Sequence, residues 1–145
     1  MAEEPGKTAE FLLRKAESIW AEPTFQSLWI QEVGGGSWLF PRLSDSLFRE
    51  GGVLNHLYVA AANVLQTLVY SGAFLWALFD RKRICLAQLL PGIVFIGGFL
   101  FHLAWEAKGQ YTAGYFMFLL PYAGAGIRAA AEAILGCLDR HESGA

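Results

Sequence analysis

Three long apolar runs decide what this chain can fold into. They cover residues 57–79, 84–104 and 112–127, and none contains an Asp, Glu, Lys or Arg. An apolar run of about 18 residues or more reads as a membrane span, because at about 1.5 Å per residue it crosses a hydrocarbon core of roughly 30 Å. The first two runs are long enough. The third is short, and reaches across only if Arg128 snorkels to the interface and the apolar residues 129–135 extend it. Composition agrees: of 145 residues, 54% are hydrophobic and 17% charged, with a mean hydropathy of +0.36. Soluble domains run at about 45–50% apolar and about 25% charged. The expected fold is an all-α membrane protein of about three transmembrane helices, preceded by an extracytoplasmic amphipathic helical segment.

That reading divides the chain into an interfacial segment (residues 1–56), a transmembrane region (57–135) and a short tail (136–145). In the first part, "TAEFLLRKAESIW" places Leu12, Ala16, Ile19 and Trp20 at helical spacing, with Arg14, Lys15 and Glu17 elsewhere on the helix. "EPTFQSLWI" predicts a restarted helix with Pro23 in its first turn, and "GGGSW" breaks it. Such a Trp-rich segment either lies on the membrane surface or packs on itself as a helical cap. "MAEEPGKTAEF" shows no charged-then-apolar signal pattern. A net charge of −2, with no basic patch interleaved with aromatics, gives no reason to expect nucleic acid as a partner.

The tight loop "DRKR" carries three bases, so the positive-inside rule puts it in the cytoplasm. The N-terminal segment and the turn "WEAKGQY" then lie outside, and the C-terminus inside. Cys85 and Cys137 fall on the inner side without a CxxC pattern and read as small apolar packers. Within the spans, Asn63, Gln66 and Thr67 share one side of the first helix, where they either bond neighbouring helices or line a polar cavity. Pro91–Gly92 and Gly97–Gly98 predict a kinked second helix, and "AGAG" allows a close helix approach.

The stretch "FHLAWEAKGQYTAGYF" interrupts this apolar pattern with an acid, a base and an amide. Trp105, Tyr111 and Tyr115 mark an interfacial belt, which puts Glu106 and Lys108 at headgroup depth. Three roles fit. Lys108 snorkels and pairs with Glu106; Lys108, Gln110 and Tyr111 bind a lipid phosphate; or Glu106 orients the lysine or accepts a proton. His102 and Glu106, one turn apart, could supply two metal ligands, but a site needs three or four and no third is evident. His102 therefore reads as a core or interface histidine, and His56, beside Asn55, as part of a polar helix cap. No cofactor is identifiable.

"FHLAWEAKGQYTAGYFMFLLPYA" resembles the last extracytoplasmic turn of large bacterial polytopic glycosyltransferases of the GT-C class, related to protein and lipid mannosyltransferases. "EPTFQSLWI" resembles the helix these proteins place outside the membrane before their final spans. The likeness covers about residues 10–127. It departs from the family pattern at Gly109, where a serine is usual, and at residues 112–114, which replace an aliphatic pair and a proline; a looser turn is expected. The resemblance implies sugar transfer from a polyprenyl-phosphate-linked donor at the outer face of the plasma membrane. It also implies that Glu106, Lys108, Gln110 and Tyr111 help hold the carrier phosphate. The family's catalytic acidic pair has no counterpart here, so the chain reads as the membrane module of such an enzyme, partnered by the bilayer and by further helices from another chain or a missing half. The alternative is a non-enzymatic three-span subunit or scaffold that binds lipid headgroups. A transporter fits less well, with no inverted repeat in view.

Overall fold

The computed structural model describes residues 5–28, 41–49, 51–79, 86–105 and 108–142. The "DRKR" loop, the "GGGSW" stretch, Cys85 and Glu106 lie outside the described residues. Every regular element described is helical: α1 (Pro5–Trp20), α2 (Pro41–Phe48), α3 (Val53–Phe79), α4 (Leu86–Ala104), α5 (Gly109–Phe116), a 3₁₀ turn (Met117–Leu119) and α6 (Leu120–Glu142). Three stretches are long and apolar enough to cross a membrane: Val53–Phe79, Leu86–Ala104 and Gly109–Leu138. This is an all-α membrane protein.

Pro121 lies inside the third span without ending it. Proline offers no N–H to the carbonyl four residues back, here that of Met117. The 3₁₀ turn meets this need: Leu120 N–H bonds Met117 O instead. Arg128 does not mark the span end either; it is exposed within α6, with Glu132 one turn on at 3.8 Å.

This third span is the centre of the bundle, with α3 along one side and α4 along the other. It runs parallel to α3 and antiparallel to α4. The parallel crossing is close because Gly72 and Gly126 meet backbone to backbone: a Cβ on Gly126 would lie 2.0 Å from Gly72 O and 2.4 Å from Trp76 N. Val69, Phe116, Leu119, Tyr122 and Ala123 form the core, with the Trp76 ring tilted against Tyr122 at 4.5 Å between centres. On the other side, Gly98 lies under the Tyr115 ring. Tyr122 also reaches α4 beside Pro91. Its hydroxyl accepts from Gly92 N–H at 2.8 Å and donates to Gln88 O, inserting itself between two groups that would otherwise bond each other in the helix ladder.

The N-terminal segment is set into this bundle. A helix leaves its last carbonyls without intrahelical donors, and the spans supply them. Trp20 O accepts from Gln66 Nε2 (3.0 Å) and Tyr70 Oη (2.8 Å), and Ile19 O from Thr112 Oγ1 (3.4 Å). Gln66 sits near the middle of the 27-residue α3, about 20 Å from either end. The segment therefore enters between the spans. Its end is a tight turn, where a restarted helix had been expected: Ser27 N–H bonds Thr24 O (3.0 Å) around Phe25 and Gln26, with φ of 51° and 59°. Left-handed backbone at bulky residues is strained. The Glu22 carboxylate offsets this by accepting from Thr24 N, Thr24 Oγ1 and Gln26 N. Helical conformation resumes at residues 27–28, where Ser27 Oγ meets Tyr58 Oη at 3.1 Å near the start of α3. Gln66 thus serves as a helix-to-helix bond, while Asn63 and Thr67 face outward and exposed.

Candidate functional site

The site expected from sequence is the turn between α4 and α5. Its upstream arm ends at Trp105, which is 68% exposed, and its downstream arm begins at Lys108. Lys108 has extended backbone (φ −107°, ψ 141°) and occupies the N-cap position of α5. Its side chain is exposed and makes no hydrogen bond or ion pair with any described residue. Tyr111, in the first turn, is 57% exposed; Gln110 beside it is half-buried. Lys108 and Tyr111 share the outer surface of the turn, and Lys108 O accepts Tyr111 N–H at 3.0 Å.

The turn is held from the N-terminal segment. Lys15 Nζ donates to Leu103 O at 3.0 Å and to Trp105 O, so an ammonium caps the C-terminal end of α4, where the helix dipole favours a cation. Gln26 Oε1 accepts Gly109 N–H at 3.0 Å and caps the first turn of α5. Thr112, fully buried, bonds Gly109 O at 2.7 Å as well as Ile19 O. On the described downstream arm of the turn, Gly109 and Thr112 are both held by hydrogen bonds. Gly109 lets Gln26 and Phe25 pack at 3.3 Å from where a Cβ would stand, and Thr112 ties the turn to α1. Lys15 was not legible as part of this site. Its spacing shows only a basic residue on an amphipathic helix, and its partners lie 88 and 90 residues further along.

The secondary candidates lie apart from this surface. His102 is 5% exposed, packed edge-on against Tyr115 at 5.4 Å, and its Nδ1 finds no partner among the described residues. That fits an internal packing histidine. His56 is exposed in the first turn of α3. Its neighbour Asn55 donates to Leu47 O at 3.0 Å, tying α3 to the end of α2. Among the described residues no group of three or more His, Cys, Asp or Glu could hold a metal ion.

Among the described residues, two cavities flank the inserted segment. One, about 260 Å³, opens between α3 and α4 beneath Trp20 and is lined by Tyr70, Phe95, Ile96 and Phe99. The other, about 320 Å³, lies between the Phe25 turn, α3 and α5; Gln66 and Tyr58 are among its walls. Neither is lined by a charged residue. The arrangement can hold an apolar chain and present a cation at the turn. It offers no paired acid and base among the described residues.

No protein-family model matches this sequence, and no curated protein or solved structure matches it.

Proposed function

We propose that this chain is a membrane-integral module that binds the phosphate end of a lipid at the turn between its second and third spans. The lipid we infer is the polyprenyl-phosphate carrier of a GT-C-like sugar-transfer system in the plasma membrane, with the turn on the outer face and the C-terminus inside. One observation carries the reading: two lysines from distant parts of the chain, Lys15 and Lys108, come to the same turn. Lys15 spends two of its three N–H donors on carbonyls, which leaves one. Lys108 is free of described partners, and Tyr111 is exposed in the same turn. A cation with neutral donors at headgroup depth suits a phosphate. Glu106 belongs to this turn by sequence, where we assign it the orienting of Lys108. The catalytic carboxylates of sugar transfer would come from other helices.

A second reading has its own support. Lys108 is an exposed single cation with no described partner, and one point charge discriminates little between phosphates, which favours a non-enzymatic scaffold that takes any anionic headgroup.

Binding in vesicles separates the two. With the chain reconstituted and polyprenyl phosphate titrated, Lys108→Ala should weaken binding by about tenfold, the worth of roughly one charge-assisted hydrogen bond. Lys108→Arg should stay within about twofold, since the charge is kept. If both variants bind like wild type, the phosphate role is wrong and Lys108 only snorkels. Equal competition by phosphatidylglycerol would select the scaffold reading.

A further inference from the structure

The outward face of α3 carries a feature the phosphate site does not use. Asn63, Thr67 and Ser71 recur at every fourth residue and are all exposed. At about 100° per residue they form one stripe, continued by Ala60 above and by Phe74 and Leu78 below. The helix buries the adjoining side: Gln66, at the edge of the stripe, against the inserted segment, and Val69 and Gly72, further round, against the third span. No hydrogen bond joins the side chains of Asn63, Thr67 or Ser71 to another described residue.

Position makes this costly. Asn63 and Thr67 flank the midpoint of a 27-residue span, where lipid offers no donor or acceptor. Intramembrane amides and hydroxyls face other helices for that reason.

We propose that this stripe is the contact face of a parallel homodimer, in which α3 of one chain packs against α3 of a second copy. The argument for a second copy lies in the residue types. Two copies inserted with the same topology relate by a two-fold axis along the membrane normal, so each residue meets its own kind at its own depth. Only groups that both donate and accept can satisfy themselves across such an axis. Asn, Thr and Ser all do so. A charged residue would repel its own copy, and α3 contains no Asp, Glu, Lys or Arg. Ala60 at the same face allows close approach. The stripe borders the inserted segment along Gln66 and Tyr70 and faces away from the third span, so pairing leaves the turn at Lys108 open.

The test uses the full chain in lipid vesicles, on a Cys85→Ser, Cys137→Ser background. Asn63→Cys and Thr67→Cys should cross-link to a covalent dimer with a short bis-maleimide. Ile93→Cys, which is 59% exposed on α4, should not. Separately, Asn63→Leu combined with Thr67→Val should raise the dimer dissociation constant by about tenfold, measured by energy transfer between labelled chains. Both changes put apolar groups where lipid is the alternative partner, so folding is retained. Two results would overturn the proposal. One is cross-linking at positions 63 and 67 no greater than at 93; the other is a double variant that dimerises like wild type.

Discussion

Gln66 shows how much one amide decides here. Its Nε2 bonds Trp20 O at 3.0 Å and lies 3.4 Å from Glu22 O, while Tyr70 supplies a second donor to the same Trp20 carbonyl. These donors make it possible to bury a helix C-terminus among apolar spans. Losing one donor should be tolerable, because the carbonyl keeps the other. Gln66→Ala or Tyr70→Phe alone should cost about 0.5–1.5 kcal/mol each. The double variant should cost more than their sum, since it leaves Trp20 O buried and unbonded. Denaturation midpoints in mixed micelles report the three values, and additivity would mean that the carbonyl is not buried. The same scale explains a mixed result for the sequence pattern. Spacing groups Asn63, Gln66 and Thr67, yet only Gln66 is covered, because the inserted segment reaches one edge of that group and stops.

Among the elements, the tightest joint is the crossing of α3 with the third span. In "AGAG", Gly126 and Gly124 look equivalent in sequence. A Cβ on Gly126 would meet backbone of Gly72 and Trp76, whereas one on Gly124 meets nothing within 4 Å. Gly126→Ala should therefore destabilise by about 1–3 kcal/mol or more, because backbone cannot step aside. Gly124→Ala should be neutral or stabilising by up to about 1 kcal/mol, as alanine favours helix. Thermal unfolding of both variants in one detergent checks the contrast. The spans themselves were plain in the sequence, because apolar length is a local property. The close approach at "AGAG" was legible as a tendency, without the partner. The insertion of α1 was not legible: Gln66, Tyr70 and Thr112 stand 46, 50 and 93 residues from the carbonyls they bond. An amphipathic, Trp-rich helix reads the same whether it lies on a membrane or is set between spans. The turn after it was misread because Pro23 fits a helix start as well as a turn, and the Glu22 carboxylate decides between them.

For the whole molecule, the N-terminal segment and the turn at Lys108 form one unit. Lys15, Gln26 and the Ile19 carbonyl each bond that turn or its flanks. The candidate site was half visible in sequence: Lys108, Gln110 and Tyr111 adjoin along the chain, and Lys15 joins them only through the fold. The proposal that a polyprenyl phosphate docks its phosphate at this turn can be tested in place. The most direct measurement is photolabelling of the reconstituted chain with a polyprenyl phosphate bearing a diazirine on the isoprene next to the phosphate. Adducts should concentrate in residues 101–116 and be removed by excess unlabelled polyprenyl phosphate. Adducts spread evenly over the lipid-facing sides of the spans, unchanged by competitor, would contradict it.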